Sequence, residues 1–237
     1  MTTEALTQPI RLTPDICALA HRPVVDPGPT EGLSYLSDAE YEALIAETLA
    51  GRPDPQDIWV FAYGSLIWKP AFPTVESRIA TLKGWHRAFC LKTTRWRGTP
   101  ERPGLMMALQ RGGQCQGVAY RLAAENLRHD LDALFRRELG VKPLNQKPRW
   151  LHVESYEGNV RALAFTADPR GRSYVGKLPL EEAAVILAEA VGVWGTGADY
   201  LRETIAHLEK LGIRDTGLWR LQSLVAQNIL AKNRVTP

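Results

Sequence analysis

Asp57-Ile58-Trp59-Val60-Phe61-Ala62-Tyr63-Gly64-Ser65-Leu66 is the stretch on which the fold turns. From Ile58 to Tyr63 the run is apolar without interruption, then Gly64-Ser65 breaks it. A short continuous run bounded by turn residues reads as a buried strand. Downstream, further strand-like runs recur at Ala88 to Thr93, Leu105 to Gln110, Gln116 to Arg121, Trp150 to Ser155 and Val160 to Thr166, many of them set apart by Gly, Pro or Asn. One helix interrupts them, from about Ala124 to Leu139. Three more close the chain, at Leu180 to Val191, Asp199 to Leu211 and Thr216 to Lys232. Strands in a run followed by helices in a run predict an α+β fold with an antiparallel or mixed sheet.

Upstream of Asp57 the character changes. Residues 1–55 carry Pro9, Pro14, Pro23, Pro27, Pro29, Pro53 and Pro55, and Arg22 to Gly32 is turn chemistry. One helix is expected there, capped by Ser37, with Asp38 and Glu40 in its first turn and Tyr41, Leu44, Ile45, Thr48 and Leu49 on one face. The organisation predicted is an N-terminal extension over 1–55, packed over the core or a partner, and one domain over 56–237.

Composition narrows the function. The chain has 237 residues, 45% of them hydrophobic and 23% charged, which suits an ordinary soluble globule. A net charge of +3 is too mild for a nucleic-acid binder and compatible with an anionic small substrate. No stretch approaches the length of a membrane span, and MTTEALTQPIRLTPD lacks the basic and apolar regions of a secretory leader. Cys17, Cys90 and Cys115 are odd in number and show no CxxC spacing, so they read as reduced, buried thiols in a reducing compartment, consistent with the cytoplasm. His21, His86, His129, His152 and His207 are scattered without HxH or HExxH spacing, so neither a metal site nor a cofactor is expected.

Two features carry chemistry. At about 100° per residue, Leu127, Leu131, Leu134 and Phe135 form one stripe of their helix. Glu138 falls inside that stripe, while Arg128, Asp130, Asp132, Arg136 and Arg137 lie beside or opposite it. A carboxylate on a buried face is costly unless it is paired or used. Burial raises its pKa, and the helix C-terminus, placed at Gly140, pushes the same way. Glu138 is therefore either a base poised towards neutral pH or the partner of an Arg from a neighbouring element. The second feature is Tyr63-Gly64-Ser65-Leu66, where a glycine turn can expose consecutive N–H groups to a carboxylate or carbonyl oxygen. G-x-S-x-G is absent around Ser65, which favours a donor over a nucleophile.

The run Phe61-Ala62-Tyr63-Gly64-Ser65-Leu66-Ile67-Trp68-Lys69-Pro70-Ala71-Phe72 resembles the signature of the ChaC family of glutathione-specific γ-glutamylcyclotransferases. Lys83 to Phe89, Gln116 to Leu122, Phe135-Arg136-Arg137-Glu138 and Asp199-Tyr200-Leu201 are similar to later elements of that family, in the same order, over about residues 57–231. Two departures stand out: a longer segment from Leu139 to Trp150, and Gly197-Ala198-Asp199 where the late element usually starts with Asn. The resemblance implies a γ-glutamylcyclotransferase-like (BtrG-like) fold, a small, mostly antiparallel β-barrel with helices around it, and no metal or cofactor. It makes Glu138 the catalytic acid/base and assigns substrate contacts to Tyr63, Gly64, Ser65, Leu66, Arg87 and Tyr200. Arg137, Lys142, Lys147 and Arg149 could attract the glycine carboxylate of glutathione or simply form a solvated face.

The reaction implied is that of a lyase. The substrate's α-amine attacks its own γ-carbonyl, Glu138 takes a proton from the amine, and 5-oxoproline and cysteinylglycine separate. Holding the glutamyl chain folded back can supply on the order of 7–11 kcal/mol. Two alternatives stay open: the same cyclisation on other γ-glutamyl amines or amino acids, and a non-catalytic regulator of cation transport.

Overall fold

The computed structural model describes residues 10–30, 32–53 and 57–234. In chain order the elements are α1 (Pro14–Ala18), β1 (Ser34–Tyr35), α2 (Asp38–Ala50), β2 (Trp59–Ala62), α3 (Ser65–Trp68), β3 (Thr74–Thr93), β4 (Gly104–Leu122) and α4 (Leu127–Glu138). They continue with β5 (Val141–Lys142), β6 (Gln146–Ser155), β7 (Val160–Ala167), α5 (Leu180–Glu189), β8 (Val191–Gly192), β9 (Gly195–Thr196), α6 (Gly197–Lys210) and α7 (Thr216–Arg234).

Strands β2, β4, β3, β6 and β7 follow one another around a closed barrel. Neighbours are antiparallel except where β7 closes onto β2, with Trp59 opposite Ala162 and Val60 opposite Leu163, and where Leu109 of β4 meets Thr166. Closure removes the exposed edges that an open sheet of this size would present.

Strand β2 shows why Ile58 to Tyr63 is apolar throughout. Alternate residues of a strand face opposite ways. Trp59, Phe61 and Tyr63 enter a core cluster with Leu82, Leu109, Leu187, Leu201 and Val225, which joins the barrel interior to α5, α6 and α7. Ile58, Val60 and Ala62 enter a second cluster with Leu131, Leu134, Phe135, Leu163 and Phe165, which seats α4 and α2 on the other face. Neither face meets water, so neither can be polar. Each fully buried Leu or Phe stabilises the fold by roughly 1.5–3 kcal/mol.

The segments Leu105 to Gln110 and Gln116 to Arg121, expected as separate strands, are parts of one strand, β4. It pairs with β3 from Thr74 opposite Leu122 to Thr93 opposite Gly104. The apparent break is a bulge inside the hairpin. Pairing shifts register between Lys83 and Trp85, where Gly84 (φ +79°) faces Gly112 (φ +105°) and Gly113 (φ +64°). Those positive φ values need glycine, and they bend the hairpin without ending it.

The described residues of 10–53 hold two helices, not the single one expected. Helix α1 has Thr13 as its cap, accepting from the Ile16 N–H, and Pro14 in its first position. Helix α2 has the expected Ser37 cap, completed by Glu40 as a capping box. Both are built into the cores: Leu12 and Cys17 lie in the first cluster, Tyr41 and Ile45 in the second. The Tyr41 hydroxyl donates to the Leu139 carbonyl at 2.6 Å, and Trp150 Nε1 donates to the Thr48 carbonyl at 2.9 Å. The expected division at 55/56 and residues 1–9 of the extension lie outside the described residues. No helix among the described residues is long and apolar enough to cross a membrane.

Candidate active site

Helix α4 delivers Glu138 at its last turn. Leu131, Leu134 and Phe135 are fully buried, and the stripe predicted from the wheel does point inward. The Glu138 side chain remains 14% exposed. It sits at the rim of the core, sheltered and yet within reach of a ligand. The helix stops at Leu139, which is extended (φ −127°, ψ +110°), so Gly140 is one residue too late to be its end and is not left-handed. Asp130, expected beside or opposite the stripe, is buried as well.

Burial holds the Glu138 pKa above the ordinary carboxylate value, because desolvation disfavours the charged form. The Arg137 guanidinium, 3.6 Å away, and a hydrogen bond from Gln146 pull it back without cancelling the rise. The carboxylate is sheltered, and an Arg stands beside it, from its own helix. The Arg beside Glu138 is thus not the expected one from a neighbouring element.

Arg137 also fixes the glycine turn. Its Nη2 donates to Ser65 Oγ at 3.0 Å, and its Nη1 donates to the Lys69 carbonyl. One planar fork thus ties the helix end that carries Glu138 to the turn that follows β2. In that turn Ile67 N–H reaches the Gly64 carbonyl at 2.9 Å and Lys69 N–H reaches Ser65 at 2.8 Å, closing the single turn α3. The first amides of a helical turn have no intrahelical acceptor, so those of Ser65 and Leu66 suit an anionic or carbonyl oxygen. Gly64 matters here for space and not for φ, since a side chain would crowd the turn. A Cβ there would stand 3.3 Å from the Tyr200 hydroxyl and 3.4 Å from Met107 Sδ.

Two tyrosines complete the wall. The Tyr63 hydroxyl lies 2.9 Å from the Phe165 carbonyl and 3.0 Å from Gln146 Oε1, while Gln146 Nε2 donates to the Glu138 carbonyl at 3.2 Å. Tyr200, from α6, packs edge-on to Phe89 and Trp68 and shares a hydrogen bond with Ser65. Burial, reinforced by the Glu138 charge, pushes Tyr63 well above the usual phenol value and Tyr200 up to about 12. Both stay neutral; the Tyr63 proton is already taken by the Phe165 carbonyl and Gln146 Oε1, so its oxygen can only accept from a ligand. Such a group can accept a proton at Glu138, polarise a carbonyl at the turn, and orient a small ligand with two hydroxyls.

The structure gathers Glu138, Tyr63, Gly64, Ser65 and Tyr200 in this way. Leu66 is in the same turn, with its side chain in the second core cluster, so only its backbone faces the site. Arg87 does not join them. Its side chain is 2% exposed, Nη1 donates to Asp215 at 2.8 Å, and Nη2 donates to the Gln116 carbonyl. A guanidinium so engaged holds the barrel to the start of α7 and is not left for a ligand.

Three of the four cations near Glu138 in sequence are also committed elsewhere. Lys142 binds both oxygens of Glu40, Lys147 pairs with Asp168 at 3.1 Å, and Arg149 donates to Thr166 Oγ1 at 3.2 Å. The longer segment after Glu138 places β5 against β1 and Lys142 against α2. Among the described residues no group of three or more His, Cys, Asp or Glu is placed to hold a metal ion. The three thiols are free and buried, and desolvation raises Cys17 and Cys90 to about 12 and Cys115 to about 11. They are poor nucleophiles.

Gln146 escaped sequence reasoning because its role depends on β6 and β7 closing the barrel beneath Tyr63. Nothing local in Asn145-Gln146-Lys147 marks it.

Comparison with known proteins gives the family and the fold. Residues 58–228 match the model of the ChaC-like protein family. The glutathione-specific γ-glutamylcyclotransferase of Escherichia coli (strain K12) is 43% identical over 202 residues, which is 84% of this chain and 86% of that one. γ-Glutamylcyclotransferase 2-3 of Arabidopsis thaliana is 35% identical over 185 residues, 74% of this chain and 92% of the relative. Among solved structures, a γ-glutamyl cyclotransferase specific to glutathione from yeast superposes with a TM-score of 0.66 at 20% identity, covering 73% of this chain and 97% of that one. That likeness establishes the γ-glutamylcyclotransferase-like fold. With the family model spanning most of the sequence and the E. coli relative matching along nearly its whole length, the chain belongs to the ChaC-like family.

Proposed function

We propose that this chain is a glutathione-specific γ-glutamylcyclotransferase with Glu138 as its acid/base. The supporting observation is the Arg137 fork, which ties a desolvated carboxylate to the glycine turn. Relatives named for the same activity support it as well.

In this reading the amides of Ser65 and Leu66 receive an oxygen of the γ-glutamyl group, and Tyr63 and Tyr200 orient it. The glutamyl chain folds back, and its amine nitrogen attacks the γ-carbonyl carbon. Glu138 accepts a proton from that nitrogen, then gives it to the departing amide nitrogen of cysteine. One C–N bond forms and one breaks. 5-Oxoproline and cysteinylglycine leave, and the carboxylate returns to its starting state. Water takes no part, and no co-reactant is consumed. The nucleophile is already tethered, so the protein's contribution is conformational and electrostatic. With reduced thiols, this fits a cytoplasmic protein acting on a small anionic tripeptide.

Incubation of the purified protein with glutathione should release 5-oxoproline and cysteinylglycine in equal amounts. Substitution of γ-glutamylalanine for glutathione separates a glutathione-specific enzyme from one acting on γ-glutamyl amino acids. Absence of both products would contradict the reading.

A further inference from the structure

Arg97 lies in the connection between β3 and β4, and nothing in the mechanism above uses it. Its guanidinium stands 5.6 Å from the centre of the Tyr200 ring. Nη1 donates to the Thr196 carbonyl at 3.2 Å, and the buried Nε has no partner among the described residues. No carboxylate among the described residues forms an ion pair with Arg97. Most arginines near this face have one: Arg87 has Asp215, Arg95 has Asp26, and Arg137 has Glu138. Desolvation depresses the Arg97 pKa, against the pull of Tyr200, Asp199 and Glu203. A sheltered guanidinium with most of its donors unused is costly by itself and is suited to a bidentate anion.

The segment that carries it is held firmly. Gly192 and Gly98 are in such close contact that a Cβ on Gly192 would lie 2.5 Å from Gly98 N. Val193 N–H and Trp194 N–H donate to the Arg95 and Trp96 carbonyls at 2.9 and 2.8 Å. Arg97 therefore faces Tyr200 from a rigid support.

We propose that Arg97 binds the glycine carboxylate of glutathione and so selects the tripeptide. This rests on the cyclisation proposed above. Glutathione offers two carboxylates, and position decides between them. The α-carboxylate shares its carbon with the amine that gives a proton to Glu138, so its partner must lie beside Glu138. The Tyr200 hydroxyl is turned towards Gly64, whereas the Arg97 guanidinium stands 5.6 Å from the centre of the Tyr200 ring and is anchored to the Thr196 carbonyl, so Arg97 lies against the ring and not at the glycine turn. The extended Cys-Gly portion spans about 7 Å beyond the scissile amide. In this proposal that length takes its terminus from the glycine turn along Tyr200 towards Arg97.

The test compares glutathione with its glycyl monoethyl ester, for the wild type and for Arg97→Gln. Wild type should use glutathione better by about 10- to 100-fold in kcat/KM, chiefly through KM, as expected for loss of a charge-assisted contact. Arg97→Gln should lose that advantage on glutathione, be no worse than wild type on the ester, and use the two nearly equally. Arg97→Lys, which keeps the charge but not the fork, should keep part of the preference. A purely structural Arg97 would lower both substrates together and leave their ratio unchanged.

An unchanged ratio in Arg97→Gln overturns the assignment, as does a wild type indifferent to esterification. That second outcome decides the matter even where Arg97→Gln fails to fold. A wild type that releases no 5-oxoproline from either compound refutes the proposed activity instead. Calorimetric binding of glutathione and the ester to the wild type and Arg97→Gln then decides the assignment by the same ratio.

Discussion

Replacing Arg137 separates its two duties. At an effective dielectric of about 20, unit charges at the 3.6 Å separating Arg137 Nε from Glu138 Oε1 attract by about 4–5 kcal/mol. Both side chains retain some exposure, 22% and 14%, so solvent screens part of this. If a third survives, it amounts to about one pH unit in the Glu138 titration. Arg137→Met removes the charge and leaves burial unopposed, so the carboxyl rises further. A base works only when deprotonated, so activity is lost as pH falls through the folded-state pKa. The acid limb of kcat/KM should therefore move up by about one pH unit in Arg137→Met. Arg137→Lys keeps a positive charge and loses the fork to Ser65 and Lys69. Its acid limb should move much less, while its rate at the optimum still falls by about tenfold or more as the turn loosens. A pH–rate profile from about 5.5 to 9, read as released 5-oxoproline, distinguishes the two. An acid limb unmoved in Arg137→Met refutes the electrostatic coupling.

Other perturbations test single links of the structure. Glu138→Gln should raise the melting temperature at pH 8 by a few degrees: the native pKa lies above the unfolded one, so wild-type stability falls as pH rises between them, and the amide removes that penalty. The gain should vanish below the ordinary Glu value, as thermal melts at pH 4 and pH 8 would show. Gly64→Ala forces a methyl to within 3.3 Å of the Tyr200 hydroxyl and should cost about 1–3 kcal/mol in urea unfolding, with a larger loss of turnover. Arg87→Met should cost about 3 kcal/mol by breaking the pair with Asp215, yet leave KM for glutathione unchanged, since that guanidinium does not reach the site.

Much of this architecture was legible in the chain. The continuous run Ile58 to Tyr63 signalled a strand buried on both faces, and the two clusters on either side of β2 are the physical reason. The stripe Leu131, Leu134, Phe135 and Glu138 gave the orientation of α4 correctly, because helical periodicity is a local property. The β3–β4 hairpin was less readable. Glu76 and Arg78 share the alternation of the buried Ala80 and Leu82, with Arg78 stacked on Trp59, while Val75 and Ile79 are exposed, so the apolar alternation was hidden, and Gly112-Gly113 looked like an end when it is a bulge. Long-range partnerships were not readable from local pattern. Arg87 looked available until Asp215, far along the chain, came to meet it. Gln146 and Arg97 acquire neighbours only when the barrel closes and α6 packs against it. Tyr200 came from resemblance to a family, not from any periodicity, and the structure sets its hydroxyl over Gly64.

The most direct trial of the central claim is single-variant turnover. Wild type and Glu138→Gln, matched in circular dichroism, are incubated with glutathione near pH 8 and assayed for 5-oxoproline. Loss of a general base that the substrate amine must use should reduce release by at least about 100-fold. Turnover in Glu138→Gln equal to that of the wild type would contradict the account.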